Sequence, residues 1–218
     1  LHQRLLANRA LEPQMLLSAR GPNMSRSAGP ELLDSLKGLS GALPRYAKDV
    51  RRIKGLAALR NADISFGHQV AQEMMLTGDA DEAVDGLELK GRVLLLEGKA
   101  QAALDALLEV KRTKPSPLLD CDISQCYGML GRKDESLQLI ESIGRHGGME
   151  DPDLLEEVYY RKGQVLASIG RSQEAIANFS KALGLARPGD KRAIFRAMSS
   201  CYEKLGMEDK AREYSRKA

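Results

Sequence analysis

Over the last two-thirds of the chain, apolar residues recur three and four positions apart, the interval that lines up one side of an α-helix. This pattern predicts helices near 80–97, 99–113, 117–130, 133–145, 152–169, 172–186, 190–205 and 208–217, separated by short breaks. The stretch from Asp151 to Pro188 shows the stripe in full: Val158, Tyr159, Leu166 and Ile169 on its first helix, Ala175, Ile176, Phe179, Ala182 and Leu183 on its second. Gly98, Gly131, Gly170 and Gly206 follow one another at strides of 33, 39 and 36 residues. Five residues after each stands a small side chain: Ala103, Ser136, Ala175 and Ala211. A recurrence at about 20–50 residues marks stacked supersecondary units. The expected fold is all-α, an α-solenoid of antiparallel helix hairpins in which each unit buries its stripe against its neighbours.

Punctuation supports these limits. Ser116-Pro117 and Asp151-Pro152 each place an oxygen acceptor before a proline in the first turn, and Asp63, Ser172 and Asp190 read as further N-caps. The four glycines suit helix ends that turn left-handed. Before residue 80 the pattern loosens. A short helix is expected over 1–10, a loop over 12–29, helices from Pro30 to about Ser40 and from Pro44 to about Arg60, and one over ISFGHQVAQEMML. Three parts result: a leader over 1–29, a basic helical segment over 30–79 that is a degenerate repeat or a cap, and the array over 80–218.

Composition narrows the field little. Hydrophobic content of 43% and charged content of 29% are ordinary for a globular chain. No apolar run is long enough to span a bilayer. Three cysteines make no disulfide framework. Cys121 and Cys126 stand roughly 140° apart on one helix, so both read as buried small apolar residues, and a cytoplasmic or other reducing compartment follows. MLLSARGPNMSRSAG, free of acids, has the composition of an organelle transit peptide or of a flexible linker. The chain opens on Leu1, as a fragment or processed product would.

The net charge of +3 is unevenly spread, since residues 1–60 hold 11 Lys/Arg against four acids. Arg45, Lys48, Arg51, Arg52 and Lys54 form most of a basic patch, with Arg60 beyond it. Such a patch attracts polyanions or acidic protein surfaces, or is a solvated helix face.

YYRKGQVLASIGRSQEAIANFSKALGLARPGD resembles a tetratricopeptide repeat. Tyr159, Gly163, Leu166, Gly170, Ala175, Phe179 and Ala182 fall at the family's marked positions, with Pro188 one place late. Residues 84–117 repeat the pattern with Leu87, Gly91, Leu94, Gly98, Ala103, Leu107 and Pro115. From Arg192 onward Phe195, Tyr202, Gly206, Ala211 and Ala218 fit again. The unit from Pro117 departs most: Asp120 and Ser124 replace the usual aromatic and glycine, and RHGGMED adds a longer loop. The last helix carries no further solvating cap, so more protein or a partner is expected beyond it.

The resemblance implies a concave face lined by the first helix of each hairpin. Carried over position by position, it nominates Glu88, Arg92, Gln125 and Met129. It also nominates Glu157, Tyr160 and Gln164, then Arg196, Ser200 and Glu203. The family's clamp for acidic chaperone C-termini does not fit, because Glu88, Arg92 and Asp122 replace its lysine and asparagines and two carboxylates repel the ligand.

Catalytic signatures are missing. His2, His68 and His146 are isolated, and neither a phosphate loop nor a nucleophile elbow occurs. The reading is a non-catalytic adaptor that takes a partner peptide or helix, with self-association a further expectation and with no cofactor and no metal. Two alternatives stand beside it: an RNA-binding helical repeat of the pentatricopeptide kind, and the targeting or regulatory arm of an enzyme whose catalytic domain lies elsewhere.

Overall fold

The computed structural model describes residues 47–143, 151–188 and 191–218. Within them run α1 (Ala47–Arg60), α2 (Ile64–Met75), α3 (Ala80–Leu96), α4 (Ala100–Thr113) and α5 (Pro117–Met129). They continue with α6 (Lys133–Ser142), α7 (Pro152–Ser168), α8 (Ser172–Leu185), α9 (Lys191–Lys204) and α10 (Glu208–Lys217). No strand occurs among the described residues. The fold is the expected all-α array of stacked antiparallel hairpins. The helices expected over 1–10 and from Pro30, with His2, Arg45, His146 and Asp190, lie outside the described residues.

Three of the expected caps are in place. Asp63 accepts from the Phe66 amide at 3.0 Å, Ser116 from Leu119 at 3.1 Å, and Asp151 from Asp153 at 2.9 Å. Ser172 is not a cap. It is the first residue of α8, and the residue before it, Arg171, makes no side-chain capping bond. The second helix of a hairpin starts by another device: the chain turns through left-handed Gly170 (φ 91°), and the Arg171 amide donates back to Leu166 O at 2.8 Å. That backbone bond satisfies an orphan carbonyl of the preceding helix and sets the turn without a capping side chain. The α2–α3 turn also passes through a left-handed glycine, Gly78 (φ 79°), so the same punctuation reaches one helix earlier than the strides alone imply.

Close approach within a hairpin rests on a pair of small residues. A Cβ on Gly163 would lie 2.5 Å from Phe179 Cε1, and Ala175, one turn before Phe179 on the second helix, is fully buried. In α3 and α4 the pair is Gly91 and Ala103. In α5 and α6 it is Ser124 and Ser136, both fully buried, each hydroxyl donating to the other's backbone carbonyl at 2.7 and 2.8 Å. The departure from the repeat pattern at Ser124 is therefore satisfied chemically. In α9 and α10 a buried Ser199 donates to Ala211 O at 2.8 Å in the same way.

The apolar stripes form three successive clusters. The first holds Ile53, Val70 and Val93; the second Leu94, Leu107, Leu119 and Ile123; the third Cys121, Val158, Leu166, Phe179 and Ile194. α3 and α5 each contribute to two of them. One junction differs from the others. α7 rests mainly on α5 and only lightly on α6, whereas α4 and α8 pack fully on the helix that follows. α6 has ten residues against fourteen in α4 and α8, so it offers α7 less surface.

Candidate partner-binding face

Asp122, on α5, joins three first helices of successive hairpins. Its carboxylate is 5% exposed and accepts from Arg92 Nε of α3 at 2.7 Å and from Arg161 Nη1 of α7. Glu88 holds the other side of Arg92 at 2.8 Å, and Glu157 holds Arg161 Nε at 2.7 Å. Burial works against the Arg161 charge, but Asp122 and Glu157 outweigh it and raise the pKa of the guanidinium. Three carboxylates and two guanidiniums thus form one ladder across the face.

The nominated residues divide into three groups. Glu88, Arg92 and Glu157 are rungs of this ladder, half-buried and engaged within the chain. Tyr160 is half-buried, its ring 5.8 Å from that of Phe179. Gln125, Met129, Gln164, Arg196, Ser200 and Glu203 are exposed. Gln125 follows Asp122 by three residues and Gln164 follows Arg161 by three, so each amide stands one turn along from a rung.

Asp122 was expected to repel an acidic ligand. Its charge faces two guanidiniums instead. The i,i+4 pairs Glu88–Arg92 and Glu157–Arg161 were visible as spacings. The link through Asp122 was not, since it spans 30 residues to Arg92 and 39 to Arg161.

The basic patch is partly neutralised. Arg51 grips the buried Glu82 with two bonds, 2.6 and 3.0 Å, and Lys48 lies 3.5 Å from Asp79. Arg52 is exposed and Lys54 half-buried. His68 Nε2 sits 3.0 Å from Glu97 Oε2, and the bonds from His68 and Lys99 hold that carboxyl below its ordinary range. The three cysteines are buried, and burial pushes the Cys121 and Cys126 thiols up to about 12. Among the described residues no group of three or more His, Cys, Asp or Glu is placed to hold a metal ion, and no helix is long and apolar enough to cross a membrane.

The hairpin of α7 and α8, with its Gly163–Phe179 contact and its Gly170 turn, also matches a family model. Residues 156–188 match the tetratricopeptide repeat model. This hairpin is similar to a tetratricopeptide repeat. Within the repeat, Tyr160 and Gln164 lie on the first helix, and Phe179 on the second fills the space that Gly163 leaves. Solved structures similar to the chain include a MamA AMB-1 structure at 20% identity, covering 77% of this chain and 94% of that one, TM-score 0.46. A MamA MSR-1 structure stands at 21% identity over 79% and 94%, TM-score 0.45. A MamA RS-1 ArsTM double mutant stands at 15% over 78% and 91%, TM-score 0.48. No curated protein sequence matches the chain.

Proposed function

We propose that the chain is a non-catalytic interaction scaffold whose protein partner docks across the first helices α3, α5, α7 and α9. The observation that supports this most directly is the exposure of Gln125, Met129, Gln164, Arg196 and Ser200 on successive first helices, beside a charge ladder that holds those helices together. Surface shape and side-chain chemistry then do the work, as in stacked-repeat arrays generally. The RNA reading draws its support from the basic patch. Arg51 is engaged with Glu82 and Lys48 lies beside Asp79, which leaves less free positive charge for phosphate than the sequence implied.

The test is affinity isolation of the native partner with the wild type and with a Met129→Arg/Arg196→Glu double variant. Both side chains are exposed, so helicity and thermal midpoint should hold while capture is lost. Tyr160→Ala suits the test less well, because Tyr160 packs on Phe179 and its loss loosens the repeat. Undiminished capture by the double variant places the partner elsewhere on the molecule.

A further inference from the structure

We propose that α1 and α2 form a further repeat of the same array, in register with the four hairpins that follow, and that this repeat opens separately from the rest of the molecule. Its turn is strained at Ala62, and side chains of α3 complete its core.

Backbone geometry carries the register. In each later hairpin a small residue on the first helix is followed seven residues on by the turn glycine and twelve on by a second small residue. Gly91, Gly98 and Ala103 show these intervals in α3–α4, and Gly163, Gly170 and Ala175 in α7–α8. Gly55, Ala62 and Gly67 stand at the same intervals. The turns agree as well. The Asp63 amide donates to Ala58 O at 2.9 Å, as Lys99 does to Leu94 O at 2.9 Å and Arg171 to Leu166 O at 2.8 Å. Ala62 is left-handed at φ 51°, where Gly98 has φ 77° and Gly131 φ 76°. Among the described residues it is the one non-glycine with a positive φ. Its Cβ crowds the following carbonyl, which disfavours the turn about five- to thirtyfold.

The core is where α1–α2 departs from its neighbours. Leu107 fills the room beside Gly91 and Phe179 that beside Gly163, each from the hairpin's own second helix and sixteen residues further on. At that interval from Gly55 stands Ala71, too small to fill the space. Leu89 of α3 enters instead. A Cβ on Gly55 would lie 2.7 Å from Leu89 Cδ2, and one on Gly67 2.6 Å from Val93 Cγ2. Arg51 fastens α1 to the start of α3 through Glu82, with bonds of 2.6 and 3.0 Å. α1–α2 thus depends on α3, whereas α3 closes on its own second helix through Gly91 and Leu107. A hairpin with a strained turn and a core partly supplied by its neighbour is the unit that opens most readily. Its opening bares Leu89 and Val93, which are 7% and 1% exposed in the closed array.

The test is native-state hydrogen exchange on the full chain. Amides of α1 and α2 should exchange together, about tenfold or more faster than those of α7 and α8. Ala62→Gly should slow exchange in α1–α2 about two- to fivefold and leave α7–α9 unchanged, since glycine relieves the turn while gaining freedom in the open state. Gly98→Ala, the reverse change at the α3–α4 turn, should quicken exchange there about five- to thirtyfold. Glu82→Gln weakens the fastening to Arg51 and should quicken α1–α2 about threefold or more. Equal exchange of α1–α2 and α7–α8, or a Glu82→Gln effect spread evenly along the chain, overturns the separate opening. Exchange that is unchanged or quickened by Ala62→Gly overturns the strained turn.

Discussion

Gly163 shows how much one side chain decides. A methyl group there meets Phe179 Cε1 at 2.5 Å and Cδ1 at 2.6 Å, so the ring, fully buried, has to move. Gly163→Ala is expected to destabilise by about 1–3 kcal/mol through overpacking, despite the better helix propensity of alanine. Chemical denaturation followed by circular dichroism measures it, and an unchanged midpoint would disprove the close approach. Glu82 sets a second expectation. The Arg51 hydrogen bonds hold its carboxyl below the ordinary 4.5. A carboxyl with a depressed folded pKa contributes stability that is complete above its unfolded value and is lost as pH falls through the folded one. The stability gap between wild type and Glu82→Gln should therefore be full above about pH 4.5 and close below it. A gap that persists unchanged into stronger acid contradicts the pairing.

At the scale of helices, the interesting junction lies between α5 and α7. α6 is short, α7 leans on α5, and Asp122 ties α5 to α3 and α7 at once. Lys162 adds a tie by donating to Ile143 O at 3.1 Å, just past the end of α6. Asp122→Asn keeps the size but removes the charge that both guanidiniums face. The expected cost is about 1.5–3 kcal/mol, the range for hydrogen bonds to charged groups, because Glu88 and Glu157 still hold the arginines. Hydrogen exchange should rise in α5 and α7 first. An exchange pattern that changes only in α9 and α10 would show that the ladder does not join those helices. The hairpin starts belong to this scale too. The Gly170 turn launches α8 by a backbone bond to Leu166 O, which explains why Ser172 resembles a cap without being one.

Over the whole molecule, cohesion passes from neighbour to neighbour. Three apolar clusters succeed one another, linked through helices that contribute to two of them. In such an array stability is close to a sum of local and interface contributions. Val70→Ala, at a fully buried site in the first cluster, should cost about 1–3 kcal/mol. Hydrogen exchange after this change should quicken in α1–α3 and stay as it was in α7–α9. Uniform loss of protection along the chain would mean that it unfolds as one cooperative block.

The periodic stripes, the glycine strides and the Ser116 and Asp151 caps made the helices of the array legible to within a few residues, because each depends on neighbours close in sequence. The residues nominated for the candidate face, Gln125 and Met129 among them, came from the resemblance to the repeat family; helical spacing adds only that these two, four positions apart, share one side of α5. Three features were not legible. Ser124 looked like a defect until Ser136 was seen opposite it, Arg51 looked like a free cation until Glu82 stood in its grip, and Asp122 looked like a repelling charge until two arginines closed on it. Each of these partnerships joins residues from 12 to 39 positions apart. Local periodicity carries no information about which distant side chains stacking will bring within bonding distance, so which charges remain available to a partner follows only from the packed helices.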